Sequence, residues 1–318
     1  MGIKAGDDLS PGLGGGERVE FLTYSTMSRF KNCRKKMYYR NILHLKPRFE
    51  TQDRSIGTAI HKGLETGSID DALAAFSDTF PSDQTEADTL ETNKVVVRAM
   101  LEGYFARFGV GFDAEEYLSE TQFEIDIINP ATGAKSKSFR LAGKADGLVK
   151  LNGRWWLVEY KTAGQVGKSY IDKLNLDAQI TTYVYALQRA LNITIAGVIY
   201  RILRKPTIRQ TKKETLFQYF DRLIADYKER PEFYFFEERL YRSQDDLAEF
   251  EVELWDLTQD LLKCRRDGLW YKNTSRCSDW SGCSYMPFCL QTPDAESLFV
   301  TREINEELEE GESNGIAS

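Results

Sequence analysis

The chain has 318 residues, 42% of them hydrophobic, and a formal net charge of −7. That is enough apolar material for a substantial core, in one large domain or two small ones. No apolar run approaches the roughly 20 residues that span a bilayer, no secretory h-region opens the chain, and Gly6 stands where a myristoylation signal needs Ser or Thr.

Residues 1–16 are Gly-rich with little to bury, and are expected to form a disordered arm ahead of a single domain over 17–302. Thr23–Ile42 carries a helical pattern, with Thr23 or Ser25 as cap and Met27, Phe30, Cys33 and Met37 along one face. Arg29–Arg48 is rich in Lys and Arg and holds no acid, and Arg201–Lys213 repeats that pattern. With Phe30, Tyr38 and Tyr39 interleaved, these stretches read as phosphate contacts and stacking surfaces, or else as two solvated basic faces. Ile56–Leu64 begins another helix, and Asp70–Phe108 is mostly helical, within an insertion over about 65–118.

Gln122–Ile128 alternates like a strand. Leu141–Thr162 then reads as a hairpin around Asn152-Gly153, the pair favoured in a two-residue type I′ turn. Asp172–Leu191 is a long helix pattern and Ile193–Leu203 a β-rich apolar run, so strand, helix and strand imply a parallel neighbour. Glu214–Lys228 and Gln244–Arg266 are further helices, with Phe233–Leu240 a strand between them. Residues 303–318 form an acidic tail, expected to be flexible. The pattern is α/β: a mixed central β-sheet flanked by helices, with a helical insertion.

The hairpin is the most informative stretch. Counting outward from Leu151/Arg154 puts Asp146 opposite Glu159, and Lys161 projects from the same face as Glu159. Opposed carboxylates destabilise a ladder unless neutralised, and their oxygens suit Mg²⁺ or Mn²⁺. The alternative is a solvated strand end in which Lys161 screens both acids. His61, one of two histidines, follows small Gly57 and Ala59 and can serve as a metal ligand or as an ordinary helical residue. Gln179 and Tyr183, four apart in QITTY, share a helical face and can orient a water, a lysine or a phosphate.

Cys277, Cys283 and Cys289, three of the five cysteines, are separated by five residues each, which reads as metal ligation rather than a disulfide frame. Three thiolates need a fourth ligand, for which Cys33 and Cys264 are the candidates, and zinc competes with iron–sulfur. Such cysteine usage suggests a reducing, cytoplasmic setting. No Walker-type loop and no G-x-S-x-G elbow is present.

G-T-A-I-H (Gly57–His61), G-K-A-D-G (Gly143–Gly147), V-E-Y-K-T (Val158–Thr162) and Q-I-T-T-Y (Gln179–Tyr183) follow the order found in RecB-like nucleases. The chain resembles this group of the PD-(D/E)xK superfamily over roughly Phe21 to Leu290. Its cysteines resemble those of the iron–sulfur branch, which includes AddB-type nuclease domains and CRISPR-adaptation exonucleases. The late cysteines depart from the family in one respect: two residues often separate the first pair there, and five do here. The resemblance implies a restriction-endonuclease-like core and a metal-dependent DNA exonuclease. It implies Mg²⁺ or Mn²⁺ at His61, Asp146, Glu159 and the Tyr160 carbonyl. Asp146, Glu159 and Lys161 would be catalytic, with Gln179 and Tyr183 after the active strand. Cys33, Cys277, Cys283 and Cys289 would hold a structural [4Fe–4S] cluster, leaving Cys264 aside. The implied partners are DNA with a free end or single-stranded DNA, and a helicase or recombinase. An endonuclease on the same site, or a non-catalytic DNA-binding scaffold with a zinc or iron–sulfur clasp, are the competing readings.

Overall fold

The computed structural model describes residues 19–48, 52–76, 83–278, 282–302 and 308. The arm expected over 1–16 and nearly all of the tail expected over 303–318 lie outside the described residues.

Strand β1 (Glu20–Leu22) leads into helix α1 (Tyr24–Asn32), which starts where Thr23 accepts the Thr26 N–H through its hydroxyl. The pattern that predicted one helix to Ile42 breaks at Cys33, whose backbone is extended at φ −161° and ψ 109°. Helix α2 (Arg34–Met37) and a π-helical turn over Tyr38–Ile42 resume beyond it. Then come β2 (Leu45–Pro47), α3 (Gln52–Thr66), α4 (Ile69–Ala74) and α5 (Gln84–Phe108).

Strands β3 (Glu116–Ile128), β4 (Lys135–Leu151) and β5 (Arg154–Ala163) form the antiparallel heart of the sheet. The predicted helix over Asp172–Leu191 is two helices, α6 (Lys168–Leu174) and α7 (Ala178–Leu191), because Asp177 caps a fresh start by accepting the Gln179 N–H. Strand β6 (Ile195–Arg204), α8 (Leu216–Glu229), α9 (Pro231–Tyr234), β7 (Phe235–Leu240), α10 (Gln244–Asp267), α11 (Met286–Leu290) and β8 (Phe299–Thr301) complete the described chain.

The main sheet has the order β1-β4-β5-β6-β7, with β3 on the other edge of β4. β6 runs parallel to β5 and is buried along most of its length, as a strand covered on both faces must be. One face packs against α7 and α10 through Tyr185, Leu187, Phe250 and Leu261, and the other against α3, α5 and α8 through Ile60, Met100, Leu101 and Leu223. The result is a mixed sheet flanked by helices. Among the described residues, no helix is long and apolar enough to cross a membrane.

β4 carries two partners on one edge. β1 pairs with Phe139–Leu141 in parallel and β5 pairs with Gly147–Leu151 antiparallel, so the edge from Ala142 to Asp146 lies between them. On the opposite edge the β3 ladder skips the pair Glu120–Asp146, and Glu120 adopts a left-handed φ of 44°. Leu141 and Ala145 reach the α7-side core before this point and Leu148 reaches it after, so the side-chain alternation of β4 changes phase across Asp146. The kink at Asp146 is therefore built into both strands, and it marks where the site forms.

Candidate active site

The turn behaves as its residues dictate. Asn152 and Gly153 take positive φ of 50° and 71°, and the register runs from Leu151↔Arg154 to Gly147↔Val158. The ladder then stops one pair short of Asp146 and Glu159. On its other edge β5 stays paired with β6 from Trp155 to Ala163, with Glu159 opposite Tyr200 and Tyr160 opposite Arg201. In the fork so opened, Asp146 Oδ2 accepts the Tyr160 main-chain N–H at 2.7 Å. A side chain thus replaces a ladder bond, satisfying a donor that would otherwise be orphaned.

The other sequence-predicted residues meet at this fork. His61 on α3 places Nδ1 3.2 Å from Asp146 Oδ1. α3 approaches β5 at Gly57, where a Cβ would lie in ordinary contact, 3.6 Å from Thr162 Oγ1. Lys161 Nζ donates to Glu159 Oε1 at 2.6 Å, and Gln179 Nε2 donates to the same oxygen at 3.0 Å. Gln179 Nε2 also lies 3.1 Å from Tyr183 Oη, so one α7 face holds one carboxylate oxygen. The Tyr183 ring is pinned edge-on by Phe123, 5.6 Å away. Glu159 is 1% exposed, and its second oxygen, Oε2, is buried without a hydrogen-bond partner.

The charges follow from this packing. Burial, helped by the Asp146 charge, pushes the Glu159 carboxyl up to about 7 against the pull of Lys161. Burial would raise Asp146 too, but His61, Lys161 and the Tyr160 N–H hold it below the usual carboxylate range. Burial disfavours the charged forms of His61 and Lys161, and the acids outweigh it: Asp146 raises His61, and Glu159 followed by Asp146 raises Lys161. The site therefore pairs an ionised Asp146 with a Glu159 that lacks enough positive charge nearby. Among the described residues, no three His, Cys, Asp or Glu side chains gather tightly enough to hold a metal ion as they lie. The donors instead bond one another. The buried, unpartnered Glu159 Oε2 is what fits a divalent cation, which would supply the missing partner and charge. The residues able to hold one are His61, Asp146, Glu159 and the Tyr160 carbonyl.

The sequence profile of the PD-(D/E)XK nuclease superfamily matches residues 22–290. The chain belongs to that superfamily. As a member it is a nuclease by descent, with the mixed sheet of the superfamily's restriction-endonuclease-like core. No curated protein matches it. Among solved structures, one described as the crystal structure of SSO0001 aligns over 66% of this chain and 73% of that chain, at 14% identity and a TM-score of 0.27.

Three features of the superfamily site escaped sequence reasoning. Glu120 opposes Asp146 at the kink, and only its positive φ, invisible in the pattern, marks it. Asp177 caps α7 and so fixes Gln179 at the helix start; a capping residue inside a predicted helix was the available signal. Tyr24, the first residue of α1, lies close enough that burial first, then the charges of Asp177 and Glu159, raise its hydroxyl against Lys161.

Several members of the basic stretches are engaged inside the fold. Arg201 is 7% exposed and bonded to Tyr104 and Glu237. Arg34 is paired with Asp260 at 2.5 Å and bonded to Cys264 Sγ at 3.0 Å. Phe30 is buried, and Tyr39 stacks on Phe288 at 5.0 Å and on Tyr285 at 5.9 Å, while Tyr38 packs on Trp270 at 5.5 Å. Tertiary packing has used Phe30, Tyr39, Arg34 and Arg201 within the fold, leaving these four unavailable for bases and phosphates.

The cysteines are all free thiols. The break at Cys33 turns its sulfur toward the C-terminal segment, where it accepts the Asn273 N–H at 3.4 Å, and Lys35 N–H reaches the Tyr271 carbonyl at 3.1 Å. Burial raises the Cys289 thiol, and Cys283, Cys33 and Cys277 add to it while Lys272 opposes. Cys264 lies elsewhere, buried in the α7-side core. Docking of the two ends does not depend on sulfur alone. β2 pairs with β8, Tyr285 Oη donates to the Leu45 carbonyl at 2.7 Å, and Tyr39, Tyr285 and Phe299 form a small core.

Proposed function

We propose that this nuclease is a Mg²⁺- or Mn²⁺-dependent DNA exonuclease of recombination, repair or phage DNA processing, working in the cytoplasm on single-stranded DNA or DNA ends. The observation that carries the reading is Glu159, a buried carboxylate with one oxygen unpartnered beside Asp146 and Lys161. A divalent ion bound there would supply Lewis acidity and an activated water. Lys161, held cationic by the acids, stands ready to neutralise a phosphate oxygen as negative charge builds. Gln179 fixes the Glu159 carboxylate and ties it to Tyr183, which burial keeps neutral and able to donate. His61 fixes the Asp146 carboxylate from the other side.

The reading extends to the iron–sulfur branch of RecB-like nucleases, with Cys33, Cys277, Cys283 and Cys289 around a [4Fe–4S] cluster and zinc as the alternative metal. Its support is that Cys33, Cys277 and Cys283 lie near enough to Cys289 to act on its thiol. A helicase or recombinase partner is part of the same reading.

The test is digestion of end-labelled linear and closed circular DNA with Mg²⁺, Mn²⁺ or a chelator. An exonuclease degrades the linear DNA, spares the circle and stops on chelation. Cleavage of the circle would mean an endonuclease on the same site. No hydrolysis on any substrate would replace the proposal with a DNA-binding scaffold.

A further inference from the structure

Behind the active strand, on the face away from Gln179, an arginine is buried where an apolar residue is expected. Arg201 lies on β6 as the ladder partner of Tyr160, with Val198, Ile199, Ile202 and Leu203 around it as core. An unpaired guanidinium there would be costly, so its partners are telling. Arg201 Nε donates to Glu237 Oε2 on β7 at 2.9 Å, and Nη1 donates to Tyr104 Oη on α5 at 2.7 Å. Its plane lies over Phe108 and Phe112, 4.4 Å and 4.3 Å from the ring centroids. The Tyr104 ring in turn meets the Tyr160 ring edge-on, with centroids 6.1 Å apart. Tyr160 is 4% exposed, and Tyr117 from β3 sits on its other side.

The geometry points to Arg201 as a positioning residue: fixed by Glu237 and the helical insertion, it holds Tyr104 against Tyr160 and thereby sets the rotation of β5 that aims Glu159 and Lys161. The physical step is the two-residue period of a strand. Glu159 and Lys161 flank Tyr160 and project from the opposite face, so a ring locked behind the strand fixes the carboxylate and the ammonium in front of it. Tyr160 N–H is also the donor taken by Asp146 Oδ2. The same residue is therefore held from behind by a ring and from the edge by a carboxylate. Partners that directly hold metal ligands are worth about 10- to 100-fold in metal affinity or activity when cut, and a chain one link further back is expected at the lower end of that range.

The metal and activity readouts rest on the active-site reading above; the exchange readout does not. Tyr104→Phe removes the hydroxyl that Arg201 holds and keeps the ring. Arg201→Lys keeps the charge and loses the fork that reaches Tyr104 and Glu237 together. The first measurement is amide hydrogen exchange in metal-free protein. Both variants are expected to speed exchange at Glu159–Lys161 by about tenfold while the β3–β4 ladder keeps the parent's rates; Tyr104→Phe also leaves Arg201 Nη1 short of an acceptor, so its unfolding midpoint should fall modestly. The second is Mn²⁺ binding by calorimetry, expected to weaken about tenfold in Tyr104→Phe. Where the parent protein hydrolyses DNA, kcat should fall while KM for DNA holds. Unchanged exchange at Glu159–Lys161 in both variants overturns the proposal, whatever the activity. Faster exchange spread evenly over the sheet, with no excess at Glu159–Lys161, also overturns it, since it would mark Arg201 as structural only. A parent protein that neither binds Mn²⁺ nor cuts DNA would fail the active-site reading and leave the exchange result to decide this one.

Discussion

Replacing Asp146 separates its structural role from its chemical one. Asp146→Ala removes the acceptor 2.7 Å from the Tyr160 N–H, in a strand whose other edge is already engaged by β6. A buried donor left without a partner costs about 1–3 kcal/mol. Part of that is offset, because the charge on Asp146 helps push the Glu159 carboxyl up, and removing it eases ionisation of Glu159. The net expectation is a loss of about 1–2 kcal/mol, which for a chain of 318 residues lowers Tm by about 1.5–3 °C. Asp146→Asn keeps an oxygen for the Tyr160 N–H but removes a charge that His61 and Lys161 stabilise, so its stability should fall below the parent's and stay above that of Asp146→Ala. Both variants should lose DNA hydrolysis, since neither offers an anionic donor. The assay is denaturant unfolding in the presence of a chelator, beside digestion of linear DNA under Mn²⁺. If Asp146→Ala proves as stable as Asp146→Asn, water satisfies the Tyr160 N–H and the account of the fork is wrong.

Glu159→Ala and Lys161→Ala should each abolish turnover while most DNA affinity remains, and parental rates in both under Mg²⁺ and Mn²⁺ would refute the site. His61→Ala should be slow, with activity partly restored by raising Mn²⁺. Gly63→Ala should destabilise by about 1–2 kcal/mol, because the overpacking cost exceeds the helix-propensity gain of about 1 kcal/mol: its Cβ would come within 2.9 Å of Ala72 Cβ and closer still to Leu101. Gly57→Ala, with its nearest contact at 3.6 Å, should instead be neutral or gain up to about 1 kcal/mol, and equal unfolding midpoints for the two would contradict the packing argument. Cys33→Ser should lose bound metal, read as iron, acid-labile sulfide and zinc content. Cys264→Ser should keep it and lose only a little stability through its contact with Arg34. Because β2–β8 pairing and the Tyr285 core also join the two ends, Cys33→Ser should remain folded, and its global unfolding at room temperature would show that the metal carries more of the docking than these contacts suggest.

What the sequence determined by itself was local. Asn152-Gly153 fixed the hairpin register down to Gly147↔Val158, since both residues accept positive φ and few others do. Thr23 marked a helix start, because a side-chain oxygen one step before a helix bonds the free N–H groups wherever the rest of the chain goes. The spacing of His61, Asp146, Glu159, Lys161, Gln179 and Tyr183 was legible for the same reason: each sits at a definite phase of its own strand or helix. Tertiary structure alone decided the rest. The fork at Asp146 depends on the β3–β4 kink at Glu120 and on β5 parting from β4 while it stays paired with β6, contacts between residues distant in sequence. The helix break at Cys33 is supported by hydrogen bonds from Lys35 to Tyr271 and from Asn273 to Cys33. Arg201 looked like a surface cation because its charge was countable and its neighbours were not. Tyr104, Glu237, Phe108 and Phe112 reach it only through folding, and a charge is exposed or buried according to what packs around it, which local pattern does not encode.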